Sequence, residues 1–193
     1  GSEMCIRDRK KAAAYPEAEE IFRRSGENFE EVYTFLSKDE NPNRKKLLFS
    51  LALKDAKDLK ASVLEDHLNC EQGDLPEEIF RKDLLCPRIF LEELTPYRSM
   101  IREFFEEETK HSFAEQPERI LDYLKKNITF HAEEEYDTIM ATPVGVLTMK
   151  QGSPLAQKIL FVAICRSLNV AARLNPVTLE PEYYHNGAFH SVE

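Results

Sequence analysis

The sequence is poor in the features that mark the commoner cofactor and metal sites. Only six of its 193 residues are glycine, and it contains no G-x-G-x-x-G or comparable phosphate-binding loop. That removes the close backbone approach on which nucleotide phosphates depend. Its four cysteines, Cys5, Cys70, Cys86 and Cys165, form no C-x-x-C pair. Their wide scatter reads as free thiols more than a disulfide framework, and it leaves the compartment open. No uncharged stretch approaches the ~20 apolar residues of a membrane span. Positive charge is also short: 26 Lys and Arg stand against 35 Asp and Glu, a formal net charge of −9 with a pI near 5.2. Such a balance argues against non-specific nucleic-acid binding, which needs cations to displace counterions. It also disfavours attraction to anionic membranes.

What is present is an ordinary globular composition, 42% hydrophobic and 32% charged. A chain of this length forms one domain, or one domain with a helical extension. It buries roughly 70% of its extended surface, so its core needs no disulfide or metal. Gly1-Ser2 reads as an expression scar, and Met4-Cys5-Ile6-Arg7-Asp8-Arg9 resembles translated sequencing-adapter reads. Residues 1–10 are therefore set apart as an artefactual or disordered tail. The chain stops at Val192-Glu193, inside an expected strand, so the sequence reads as a fragment.

The first half is helical in pattern. Pro16 suits a helix start, with Glu17, Glu19 and Glu20 near the positive end of the dipole, and Gly26 ends that element. Asn28 with Glu31 gives a capping-box pattern ahead of Phe29, Val32, Tyr33 and Leu36, which fall on one helix face. After Asn41-Pro42-Asn43, the same spacing runs from Leu47 toward Leu68. Pro76-Glu77-Glu78 opens another helix, which Cys86-Pro87 interrupts. A long helix is expected from Phe90 to Phe105, followed by the solvated run Glu106-Glu107-Glu108.

The second half changes character. Pro117 to Ile128 predicts an amphipathic helix, and Thr142 to Val146 an irregular, turn-rich stretch. The run Ile159 to Cys165 is apolar all round, the mark of a buried helix, with Asn169 supplying its left-handed end. Val170–Asn175, Glu182–His185 and Ala188–Val192 are expected strands. Asn186-Gly187 is a two-residue hairpin signal between the last two.

Gly152-Ser153-Pro154, a buried helix, and then Arg166-Ser167-Leu168-Asn169-Val170-Ala171-Ala172-Arg173 resemble the core signature of the transglutaminase-like superfamily of thiol enzymes. There the pattern is a glycine, one residue, a cysteine, a buried helix, and R-x-L-G-I-P-A-R entering the first strand. Arg166, Leu168, Val170, Ala172 and Arg173 match by identity or type; Asn169 replaces the glycine and Ala171 the proline. Pro117 to Gly145 resembles the helix and loop that precede this core. Cys86-Pro87-Arg88-Ile89, Glu92-Glu93-Leu94 and Pro96-Tyr97-Arg98 resemble a lead-in of gut-bacterial members. The resemblance implies an α+β fold: a helical N-terminal half, 11–112, and a partial core, 113–193, in which a nucleophile-type helix packs on an antiparallel sheet. It implies a bacterial source and an exported or cell-surface setting, which the residues themselves do not fix.

In that superfamily a cysteine at the start of a buried helix has its thiolate stabilised by the dipole and orphan amides, and strand residues activate it. Counting back from Arg173 puts the nucleophile at Pro154, which has none. Cys165 lies eleven positions on, roughly 16 Å along the helix and amid apolar neighbours, and reads as inert packing. Ser153 has no base assigned to it. His185 and His190 are the available strand histidines, with Phe189 where the family often carries tryptophan and Glu193 as a conceivable third member.

Asp66-His67-x-x-Cys70-Glu71, with Cys86 further on, lacks the fourth ligand of a structural zinc site. Glu92-Glu93 and Glu133-Glu134-Glu135 need no catalytic role, and nothing calls for a cofactor. The leading expectation is a catalytically degenerate domain that binds a protein or glycan at a vestigial cleft of Pro154, Arg173, His185 and His190. The alternatives are an active cysteine peptidase, amidase or transglutaminase of the same superfamily, and a helical interaction module centred on Pro16 to Glu108.

Overall fold

A computed structural model describes residues 4–130 and 141–192; the Glu133-Glu134-Glu135 run and Glu193 lie outside the described residues. The N-terminal half is a succession of short helices: α1 (Ile6–Ala12), α2 (Glu19–Ser25), α3 (Phe29–Ser37), α4 (Asn43–Ser50), α5 (Ala61–Glu65) and α6 (Glu77–Phe80). A π-turn at Arg81–Leu85 extends the last of these up to Cys86-Pro87. The tail set apart at 1–10 is helical from Ile6, and Ala12 buries into the same core as Phe22, Phe29, Phe35 and Leu64.

Pro16 opens a 3-10 turn leading into α2, and Gly26 ends that helix at φ +54°, a backbone setting that favours glycine. The capping box at Asn28 does not form. Its side-chain amide reaches across the fold instead, donating to the carbonyls of Ala56 and Leu59 at 2.9 Å each. The periodic run from Leu47 to Leu68 is broken into α4, a 3-10 segment at Leu53–Lys57 and α5. The apolar spacing survives because each piece turns a face to the same core.

The C-terminal half begins with α7 (Tyr97–Phe104), α8 (Glu107–Glu115) and α9 (Glu118–Asn127). The long helix expected from Phe90 is confined to α7. Residues 88–96 are irregular, because the Glu92 carboxylate turns back to accept the amides of Ile89 (2.8 Å) and Phe90 (2.6 Å). A short strand, β1 (Thr129–Phe130), pairs in parallel with β2 (Gln151–Gly152), and α10 (Pro143–Met149) lies between them in the chain. The irregular stretch expected at Thr142–Val146 is thus helical. Thr142 Oγ1 accepts from the Gly145 amide and Pro143 occupies the first turn, two N-terminal signals in one dipeptide.

The core helix, α11 (Pro154–Ser167), is buried on every side from Ile159 to Ser167. Each large apolar side chain it covers contributes about 1.5–3 kcal/mol. Asn169 follows at φ +63°, ending the helix as its sequence suggests. The chain then forms the antiparallel sheet β3 (Ala172–Leu174), β4 (Pro181–His185) and β5 (Ala188–Ser191), in the order β3-β4-β5. Asn186 and Gly187, both at positive φ, make the hairpin turn. Side chains alternate across the sheet. Ala172, Leu174, Tyr183 and Val192 join the core of α11, whereas Ala171 and Tyr184 pack against the N-terminal half.

Two buried arginines fasten the halves together. Arg98, on α7, donates to the carbonyls of Leu84 (2.6 Å), Leu85 (2.9 Å) and Arg166 (3.1 Å). Arg166, on α11, donates to the carbonyls of Cys86 (2.8 Å), Arg88 (3.0 Å) and Ala172 (3.0 Å). The orphan carbonyls that end the π-turn are satisfied by a cation, the charge a helix C-terminus favours.

Candidate functional site

The start of α11 is the position the sequence points to. Ser153 is the N-cap, its Oγ accepting the Ala156 amide at 3.1 Å, and Pro154 occupies the first helical position. The Gln157 side chain donates to the Gly152 carbonyl at 3.0 Å. A Cβ at Gly152 would stand 2.9 Å from Val146 Cγ1, so glycine here lets α10 approach the turn. The Ser153 oxygen thus acts as a helix cap, and Pro154 offers neither a nucleophile nor an amide. The thiol of α11, Cys165, is fully buried, and burial pushes its pKa well up, away from the reactive thiolate.

Of the four cleft residues, His185 and His190 are neighbours, with ring centres 6.1 Å apart, while Arg173 and Pro154 lie elsewhere. Arg173 pairs across the sheet with Glu182 and bonds it, Nε to Oε1 at 2.6 Å, while its guanidinium lies 3.8 Å from the centre of the Phe189 ring. Asn175 donates to the second oxygen of Glu182 at 3.3 Å. Arg173 occupies the face of the sheet turned from α11, because it alternates with Ala172 and Leu174, which enter the core of that helix. His190 pairs with Tyr183 and stands in the same row as Ala172, on the other face.

Pro154 and His185 are separated along α11. Lys158, in its first turns, reaches Glu180 just ahead of β4 at 2.7 Å. That strand then runs away to His185, which borders a cavity with Asn169 and Val170 beyond the helix's far end. A helix of this length spans about 20 Å. His190 Nε2 lies 2.9 Å from the His185 carbonyl and so donates to it. Both histidines are exposed. Pro154 thus stands at a helix start, Arg173 on the sheet face turned from α11, and His185, with His190 bonded to its carbonyl, at the rim of a cavity.

That cavity, about 460 Å³, lies where the halves meet. Its walls come from the 71–75 loop, the α8–α9 junction, the turn after α11, and Tyr183 to His185 of β4. Reciprocal bonds close one wall: the Glu71 amide donates to Asn169 Oδ1 at 2.9 Å, and Asn169 Nδ2 returns to the Glu71 carbonyl at 3.0 Å. The Tyr183 hydroxyl donates to Glu118, and burial together with that bond pushes the phenol's pKa up to about 12.

The His67, Cys70 and Cys86 constellation is real, but it surrounds a guanidinium. Arg98 donates from Nε to His67 Nδ1 at 2.7 Å, from Nη1 to Cys70 Sγ at 2.8 Å, and from Nη2 to the Cys86 carbonyl at 3.4 Å. The sequence places Arg98 within the lead-in but carries no signal for its side-chain partners, which lie 12 to 68 positions away.

A buried helix feeding a three-stranded antiparallel sheet, with helices against the sheet's other face, defines an α+β protein with a transglutaminase-like core. The family model of the transglutaminase-like superfamily matches residues 98–192, and this half of the chain belongs to that superfamily. No curated protein and no solved structure matches the chain. The match begins at Arg98, the buried side chain that joins the lead-in to α11.

Proposed function

We propose that this transglutaminase-like domain has lost the superfamily's cysteine and serves as a non-catalytic binding or architectural module of a larger bacterial protein. The observation that carries the reading is the start of α11, where the family layout calls for a thiol and the chain has Pro154 behind a capping Ser153. The burial of Cys165 supports it, since a thiol with a raised pKa and no access to solvent cannot replace the missing nucleophile. So does the position of His185, at the far end of α11 from Pro154. The contact surface on this reading is the cavity between the halves, where His185 meets segments from across the chain, and its partner is a protein or a glycan.

The N-terminal helices count here as part of the module and not as a separate interaction unit. Arg98 and Arg166 bond them to the core, and Ala171 and Tyr184 of the core side pack among them. Iodoacetamide labelling of the native protein at neutral pH, mapped by mass spectrometry, tests the proposal. Exposed Cys5 is expected to label and Cys165 to stay unmodified until denaturant is added. Rapid native labelling of Cys165 would restore the active-enzyme alternative.

A further inference from the structure

One buried charge in the π-turn is left unpaired. Ten polar or charged side chains are buried among the described residues, and nine of them are hydrogen-bonded. Asp83 is the tenth: 9% exposed, it makes no hydrogen bond and no ion pair among the described residues. A buried carboxylate without a partner is costly to keep ionised. Its oxygens are nonetheless not sealed, because Thr95 Oγ1 is the side-chain atom both unpartnered and closed to solvent among the described residues. A proton can therefore reach Asp83.

The turn that carries it is packed by α4, α6, α11 and β3. Arg166 of α11 and Arg173 of β3 act on Asp83 as cations, and Glu182, opposite Arg173 on β4, acts as a second buried carboxylate. Both arginines bond elsewhere: Arg166 to the carbonyls of Ala172, Cys86 and Arg88, and Arg173 to Glu182 above the Phe189 ring. The cations of α4 are also engaged, Arg44 with Asp39 and Glu65, Lys45 with Glu17, and Lys46 with Glu77 of α6. Lys82, next in the turn, bonds Glu78 of α6. Burial pushes the pKa of the Asp83 carboxyl up, against the pull of Arg166, Arg173 and Lys82 and with a contribution from Glu182.

We propose that Asp83 is a proton-operated latch between the two halves of the chain. With a proton on its carboxyl, the π-turn stays closed on β3 and α11. When that proton passes to solvent, the carboxylate turns out toward water and loosens the turn. The carbonyls of Leu84, Leu85 and Cys86 at the end of that turn are the ones Arg98 and Arg166 hold, so the junction of the halves loosens with it. An acid whose folded pKa is raised gives stability that is complete below its unfolded value and is lost as pH rises through the folded value. The junction is therefore tighter in mild acid than at neutral pH. The latch does not involve Pro154, so it stands or falls apart from the thiol-labelling result.

Amide hydrogen exchange of the whole chain at pH 5.0 and 7.5, corrected for intrinsic rates, tests it in the parent and in Asp83→Asn. The amides of Leu84, Leu85 and Cys86 are expected to exchange about threefold or more faster at the higher pH in the parent, and to lose that difference in Asp83→Asn. The urea midpoint of Asp83→Asn should exceed the parent's at pH 7.5, by a margin that closes as the pH falls. Carbon-13 titration of the Asp83 carboxyl in the parent needs no variant to fold, and its midpoint is expected above the ordinary value of 3.8. Turn exchange independent of pH in the parent, or the same dependence in Asp83→Asn, would overturn the proposal. So would a carboxyl midpoint at or below the ordinary value, or a urea margin that does not change with pH.

Discussion

Arg98 donates from Nε to Nδ1 of His67 at 2.7 Å, with both side chains wholly buried. A histidine that accepts there and donates from Nε2 to the Thr95 carbonyl at 2.8 Å is neutral, with its proton on Nε2. The guanidinium gathers carbonyls from the π-turn and from α11 and so holds the N-terminal half against the core.

Removing that guanidinium leaves several buried acceptors unpaired at once. Arg98→Leu is expected to lose about 3–5 kcal/mol of stability, seen as a fall in the urea midpoint. Arg98→Lys should recover little of it, because an ammonium cannot span acceptors arranged around a planar fork. A loss within 1 kcal/mol, on the order of a surface change, would mean the arginine is not the fastening it looks like.

His67 should also make the protein acid-sensitive. Burial, then the charges of Arg98, Arg102 and Arg166, hold its pKa well below the ordinary value of 6.5. A base whose folded pKa is depressed takes up a proton more readily when unfolded. Its contribution is therefore complete above about pH 6.5 and is lost as pH falls below it, by up to about 1.4 kcal/mol per pH unit. Urea midpoints between pH 7.5 and 5.5 should fall in the parent and flatten in His67→Gln. An equal slope in both proteins would assign the sensitivity elsewhere.

Gly152→Ala is expected to cost about 1–3 kcal/mol, since the new methyl would meet Val146, itself buried, at 2.9 Å. Adding Val146→Ala should return part of that loss, although the smaller side chain has its own cost. A double-mutant cycle with no coupling between the two positions would show that the turn before α11 adjusts freely.

Much of this arrangement was legible in the sequence. The all-apolar run from Ile159 predicted a buried helix because no solvent-facing side remained, and Asn186-Gly187 predicted the hairpin because both positions need positive φ. Helix boundaries in the first half were not legible. The 3–4 spacing continues past breaks that long-range bonds impose, such as those of Asn28 to Ala56 and Leu59, and past the local turn that Glu92 makes onto Ile89 and Phe90. The placement of the candidate residues was not legible for a related reason. Which face Arg173 takes depends on the sheet's register against α11, and which end His185 reaches depends on the direction of β4; neither is carried by spacing alone.

Ser153→Ala separates a cap from a nucleophile. Loss of the bond to the Ala156 amide should cost about 1 kcal/mol in the urea midpoint, and no hydrolytic or transamidating activity should change, because none depends on that hydroxyl. An activity abolished by Ser153→Ala with stability preserved would give the serine a chemical role.

The most direct test of the central claim is a pre-steady-state assay with a p-nitrophenyl ester, followed by intact-mass analysis of the folded protein. A working acyl-transfer centre releases a stoichiometric burst of p-nitrophenolate and retains the acyl group on its nucleophile. The account predicts no burst and no adduct on Ser153 or Cys165. A burst of one equivalent with the acyl group on either residue would contradict it.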